Sequence, residues 1–223
     1  MLNFGLAFAA FLGAHTLPRL TGFRDWGMNR YGRKAYIVAY SVLSIALLIW
    51  LIMAAVNAPY IGFWATTPTL VAISMVLMFL AVIILVAGVT RSNSLSASFV
   101  GGETDEKNPG ILAFARHPIT GSTLLWALAH LLVNGDFTGV VLFGGLVLFS
   151  LFGNRAFLKW AEKRLGVQDY QNKLNVARGS LLDRLSRAAS PRFAVELLLG
   201  VAVYFVILFA HEWAIGVAPL AYF

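Results

Sequence analysis

Cysteine is absent from this chain of 223 residues, which excludes disulfides, thiolate metal sites and a cysteine nucleophile. Charge is scarce too: Asp, Glu, Lys and Arg make up 12% of the residues, against 59% hydrophobic ones and a mean hydropathy of +0.77. A soluble domain cannot cover that much apolar surface, so the ordinary globular class is excluded. No G-x-G-x-x-G or P-loop run occurs, hence no nucleotide fingerprint, and no internal repeat is visible, which argues against a transporter built from duplicated halves. Residues 1–14 carry no basic n-region, so the first apolar run reads as a retained helix and not as a cleaved signal peptide.

What the chain does have is long uncharged runs. A helix needs roughly 20 mostly apolar residues to cross a hydrocarbon core of ~30 Å. Six segments answer, at about 2–17, 35–56, 69–89, 110–133, 137–153 and 193–215. The strictly apolar part of the fourth, from Ile119 to Val133, covers only ~22 Å, and extending it backwards takes in Arg116 and His117. The sixth contains Glu196 near one end and His211 and Glu212 near the other. The expected fold class is therefore all-α: a polytopic membrane helix bundle of about six transmembrane helices, one membrane domain over residues 1–223.

Charge placement supplies the topology. Of the seventeen Lys and Arg residues, five lie in the first connector (Arg19, Arg24, Arg30, Arg33, Lys34) and three between the third and fourth helices (Arg91, Lys107, Arg116). The other nine lie between Arg155 and Arg192, whereas 57–68 and 134–136 contain none. Six crossings put the three basic connectors on one face, which the positive-inside rule makes cytoplasmic, with both termini on the non-cytoplasmic side. The expected location is a bacterial inner membrane. The net charge of +7 then reads as topology and attraction to anionic lipid, not as nucleic-acid binding.

Outside the membrane, 154–191 mixes charge with spaced apolar residues, among them Phe157, Leu158, Leu165 and Tyr170, and reads as a cytoplasmic amphipathic segment. The loop at 91–109, rich in Ser, Gly and acidic residues, reads as flexible. Asn134-Gly135-Asp136 reads as a tight turn with Asp136 placed to cap the next helix. Glu196 follows Arg192 by four residues, the spacing of a helical ion pair.

Polar groups inside a bilayer are costly, and all four histidines fall within or at the ends of the proposed spans: His15, His117, His130 and His211. Imidazoles in a cysteine-free helix bundle suit haem, though a membrane histidine also serves as a hydrogen-bonded packing residue. Helix depth pairs His15 with His117 and His130 with His211. Arg116 and His117, followed by Pro118 at a helix start, form either an anion site and candidate catalytic pair or an interfacial marker.

Several blocks together carry a family resemblance: Phe11-Leu-Gly-Ala-His15, Arg116-His117-Pro118, Leu125-Trp126-Ala-Leu-Ala-His130-Leu-Leu-Val-Asn134-Gly135-Asp136, Leu142-Phe143-Gly144-Gly145 and His211-Glu-Trp-Ala-Ile-Gly216-Val-Ala-Pro219-Leu220. They resemble the NnrU membrane family over essentially the whole chain. That family includes the zeta-carotene isomerases, which this chain also resembles in His15 followed by Arg24-Asp25-Trp26-Gly27. The resemblance implies haem b, with His15 and His130 as its ligands. Where those isomerases carry a cysteine three positions before the second histidine, this chain has Ala127. The family name implies a role in nitric oxide and denitrification physiology.

Arg116-His117-Pro118 with Gly121, and Glu162-Lys-Arg-Leu-Gly-Val-Gln-Asp-Tyr170 downstream, also look like part of the isoprenylcysteine methyltransferase pattern, with Glu162-Lys163 standing in place of its doubled Glu. The sequence thus leaves three functions: a haem-dependent, isomerase-like membrane enzyme acting on a lipophilic small molecule, an S-adenosylmethionine-dependent membrane methyltransferase, or a non-enzymatic assembly or partner subunit of a membrane complex.

Overall fold

The computed structural model describes residues 1–96, 98–100 and 102–223, apart from the side chain of Arg19. Among the described residues the chain is all-α, with no strand. The helices are α1 (Leu2–Leu20), α2 (Phe23–Tyr31), α3 (Arg33–Val56), α4 (Pro68–Val89), α5 (Pro118–Val133), α6 (Phe137–Leu165), α7 (Val167–Asn175), α8 (Leu181–Ala188) and α9 (Pro191–Ile215), with short 3-10 turns at Gly110–Ala113 and Pro219–Tyr222.

Local chemistry explains where they begin and end. Proline occupies the first turn of α4, α5 and α9, where its missing N–H is no loss. Thr67 and Ser190 cap α4 and α9 by accepting from Leu70 N and Phe193 N. Ser180 and Asp183 form a capping box on α8, and α9 stops at Gly216, whose φ of 80° is the left-handed C-cap conformation.

Among the described residues four helices are long and apolar enough to cross a membrane: α3, α4, α6 and α9. They carry exposed apolar side chains such as Val42, Val76, Phe152, Val206 and Phe209, the surface expected to face lipid. The remaining two expected spans are shorter apolar helices, α1 and α5. Their limits also differ from the sequence reading. The segment expected as one helix over 110–133 is broken: 110–113 is a 3-10 turn, and α5 starts only at Pro118. Proline disfavours helical backbone in the residue before it, and His117 accordingly sits at φ −125°, ψ 68°. Conversely, α1 runs past Pro18 to Leu20, because a proline in the last turn forfeits only one hydrogen bond. Likewise α6 continues to Leu165, taking in the first part of the expected amphipathic segment, since no breaker interrupts it.

The chain forms two compact units, Met1–Phe63 with Asp136–Thr138, and Trp64–Gly135 with Gly139–Phe223. In the first, α1 packs on α3, burying Phe4, Ala7, Leu51 and Ala54, and Trp50 Nε1 donates to Asn3 Oδ1 at 3.1 Å. A Cβ at Gly27 of α2 would come within 2.7 Å of the Tyr36 ring, so glycine is what lets α2 lie against α3.

In the second unit α4 is the central helix, flanked by α5 and α9, both antiparallel to it. Toward one end Ser74 Oγ donates to Ala129 O at 2.9 Å and Tyr204 Oη to Met75 O at 3.3 Å. At the other, Gly88 lies against Pro118, and near it Gly200 faces Ile83. Small residues thus let the backbones approach, and hydroxyls bond across helices, the packing expected where lipid removes the hydrophobic drive between helices.

Candidate functional site

His15 and His130 lie on α1 and α5, in the two different units, and they share one local arrangement. His15 Nδ1 lies 2.7 Å from Phe11 O and His130 Nδ1 lies 2.9 Å from Trp126 O, in each case the carbonyl four residues back. A carbonyl only accepts, so Nδ1 is the donor, which leaves Nε2 as the nitrogen turned away from the helix backbone. Aromatic rings surround both imidazoles: Phe11 at 4.4 Å and Tyr40 at 5.8 Å from His15, Trp126 at 4.9 Å and Phe143 at 5.1 Å from His130. A neutral imidazole with Nδ1–H tied to a carbonyl is the usual state of a metal-ligating histidine. His211 repeats the Nδ1 contact with Val217 O, at 2.8 Å, and lies in electrostatic range of His130. Among the described residues no three His, Asp or Glu side chains converge on a metal site, so a metal group would rest on paired imidazoles.

His117 behaves differently. It caps α5, its ring lies 6.2 Å from that of Phe157, and among the described residues neither of its buried nitrogens finds a hydrogen-bond partner. Arg116 beside it is held through its carbonyl, which accepts from Asn93 Nδ2 at 2.8 Å. His117 and His130 are 13 residues apart on α5, about 20 Å along a continuous helix, so the structure does not bring these two together.

The loop after α4 departs from the flexible segment expected at 91–109. Arg91, Asn93, Ser94, Leu95 and Ser96 are all buried. Arg91 Nε and Nη2 each reach Glu196 Oε2 at 2.8 Å, while its Nη1 donates to Asn108 O at 2.6 Å. The other carboxylate oxygen, Oε1, accepts from Thr90 Oγ1 and from Arg192 Nε, both at 3.0 Å. The expected Arg192 and Glu196 pair is therefore present, but the sequence reading missed Arg91 as the buried partner. One signal was available: a carboxylate inside an apolar helix requires a cation, and Arg91 stands at the end of the neighbouring span.

The same face carries a polar cavity of about 590 Å³, lined by Ser94, Glu103, Glu106, Arg164, Asp169 and Lys173 among others. Lys173 Nζ lies 2.7 Å from Glu106 and 3.6 Å from Glu103, and its hydrogen bond to Glu106 pushes its pKa up. Arg164 lies over the Trp160 ring at 4.1 Å and donates to Ser94 O.

The connectors without Lys or Arg meet at the opposite end. Trp64 N donates to Gly135 O at 3.1 Å, and Trp64 Nε1 and Thr66 Oγ1 donate to the last carbonyls of α5, those of Leu132 and Val133. Gly135 is required there, since a Cβ would run into the Trp64 carbonyl. The connection expected at 134–136 is three residues long, with Asp136 paired to Gly62 in an isolated antiparallel bridge, and Asn134 Nδ2 closes α5 by donating to His130 O.

Compared with known families, residues 3–219 match the family model described as NnrU protein. The comparison with curated proteins and the comparison with solved structures each return no match.

Proposed function

We propose that this chain, which belongs to the NnrU family, is a haem b-binding protein of a bacterial inner membrane that acts on a lipophilic small molecule in an isomerase-like reaction, within the nitric oxide and denitrification physiology that the family name suggests. The observation that carries the reading is the shared geometry of His15 and His130: each has Nδ1 on the carbonyl four residues back, which leaves Nε2, among aromatic rings, as the nitrogen a metal would take. It is the family resemblance that assigns these two histidines as the ligands. Bound haem would supply iron-centred Lewis-acid or redox chemistry that no side chain here offers. The residues' own work is to orient each imidazole, and the rings beside each, Phe11 and Tyr40 at His15 and Trp126 and Phe143 at His130, offer a lipophilic substrate apolar contact.

The same reading takes α1 and α5 as crossings, giving six spans with both termini outside. At 16 residues α5 covers about 24 Å, and local thinning of the bilayer accommodates such a mismatch at modest cost. The test is an absorption spectrum of detergent-purified protein. A Soret band is expected, and its loss in the His15→Ala, His130→Ala double variant; a colourless protein that haem does not reconstitute overturns the reading.

One observation favours a second reading. Arg164, Leu165 and Asp169, from the block that resembles the methyltransferase pattern, line the polar cavity. S-adenosylmethionine, carrying a sulfonium and a carboxylate, matches its mixed carboxylates and cations. Calorimetric heat with that methyl donor, abolished by Asp169→Ala, is the expected result of this alternative.

A further inference from the structure

Between α7 and the first turn of α9, residues 176–192 carry Arg178, Arg184, Arg187 and Arg192 against the one Asp183, a local net charge of +3. Within this basic stretch α8 turns its leucines outward. Leu181, Leu182 and Leu185 are 58%, 77% and 48% exposed. On a helix of 3.6 residues per turn, positions i, i+1 and i+4 fall within an arc of about 100°. The helix is anchored without that face: Ser180 and Asp183 box its start, it packs on the 3-10 turn at Gly110–Ala113, and Ala188 is buried.

The two arginines of α8 are not equivalent. Arg187 turns back on the chain and donates to the carbonyls of Asp183, Asn175 and Arg178. Arg184 has its guanidinium carbon 5.8 Å from the centre of the Phe114 ring, and among the described residues its buried Nε–H finds no acceptor. A buried charged donor without an acceptor is costly, and phosphate oxygens match the guanidinium fork. What lies over the leucines follows from the tether. Only Ala189 and Ser190 separate α8 from Pro191, the first residue of α9, which is long and apolar enough to cross a membrane. Three Cα steps reach at most about 11 Å, so the end of α8 stays close to the level at which α9 enters the bilayer.

We propose that α8 is an interfacial helix that lays Leu181, Leu182 and Leu185 into the acyl boundary of an anionic leaflet, with a phospholipid phosphate as the acceptor for Arg184. An apolar stripe bordered by arginine, at the mouth of a span and on the side of the basic connectors, meets both lipid chains and lipid phosphate there. The contact rests on α9 as a crossing and is independent of haem and of a methyl donor.

Because the chain has no cysteine, a nitroxide on an introduced one reports a single position. Labels at Leu182→Cys and Leu185→Cys are compared with two references: Glu103→Cys, whose parent side chain is exposed in the loop, and Val206→Cys, exposed near the middle of α9. In phosphatidylcholine vesicles with and without phosphatidylglycerol, each label is relaxed by oxygen, which partitions into lipid, and by a water-soluble nickel complex. In the anionic vesicles the oxygen-to-nickel ratio at 182 and 185 is expected to lie above that at 103 and below that at 206. Phosphatidylcholine alone is expected to lower it, and Arg184→Gln to abolish this lipid dependence while Arg184→Lys keeps it. Ratios at 182 and 185 equal to that at 103 place α8 in water, and labels shielded from both reagents place a protein on the leucine face; either result overturns the proposal. A lipid dependence unchanged in Arg184→Gln overturns the phosphate contact. A nickel-accessible 206 removes α9 as a crossing and the proposal with it, whereas a lipid-buried 206 beside a wet 182 removes α8 alone.

Discussion

Arg91 and Glu196, 105 residues apart in sequence, form a buried ion pair in which two guanidinium nitrogens reach one carboxylate oxygen at 2.8 Å. The pair fastens the end of α4 to the first turns of α9, and Gly110, at φ 53°, leaves room for the guanidinium that a Cβ would fill. Removing one partner leaves the other charge buried. Glu196→Ala is expected to cost about 3–5 kcal/mol, read as a fall in the thermal midpoint of the detergent-solubilised protein. Arg91→Lys, which keeps the charge but loses the fork, is expected to cost less than Glu196→Ala.

Gly88 is where α4 and α5 come closest. A Cβ there would lie 2.5 Å from Cβ of Pro118, whose ring is fixed. Gly88→Ala is therefore expected to push the helices apart at a cost of about 1–3 kcal/mol. Gly144→Ala, where a Cβ meets nothing within 4 Å, serves as the neutral control in the same thermal assay.

Lys173 is held by Glu106 and Glu103, which raises its pKa above the ordinary 10.5. A raised folded-state value means that the contact contributes its full stability below pH 10.5 and loses it as pH climbs through the folded pKa. Amide exchange of residues 103–108, corrected for the intrinsic rate, is expected to accelerate above pH 10.5 relative to α4. Lys173→Met is expected to show the faster exchange already at neutral pH. No change in either arm refutes the link between α7 and this loop.

In the proposed six-span topology Tyr60 and Glu103 lie on opposite sides of the bilayer, and both positions are exposed, the former at 78% and the Glu103 side chain at 87%. A membrane-impermeant maleimide added to intact spheroplasts is expected to label Tyr60→Cys but not Glu103→Cys, and a tag fused before Met1 is expected to be reached from the outside. A tag accessible only after lysis would remove α1 from the set of crossings.

Hydropathy and charge decided much of this protein before any folding was considered. Uncharged runs longer than a bilayer is thick can only be helices, because lipid offers no partner to an open backbone. Local chemistry decided helix starts as well: Pro68, Pro118 and Pro191 each open a helix, although reading 110–133 as one helix overlooked what Pro118 does to His117. Composition and spacing also picked out the histidines, since polar residues are rare in such segments. They could not tell which ring nitrogen each would tie up, because that depends on a carbonyl presented by the helix itself. Partners far apart in the chain were decided by tertiary structure alone. Arg91 looked like one more charge on a basic face. Only the packing of α4 on α9 buries Arg91 against Glu196, because burial is a property of neighbouring helices and not of the segment that carries the residue.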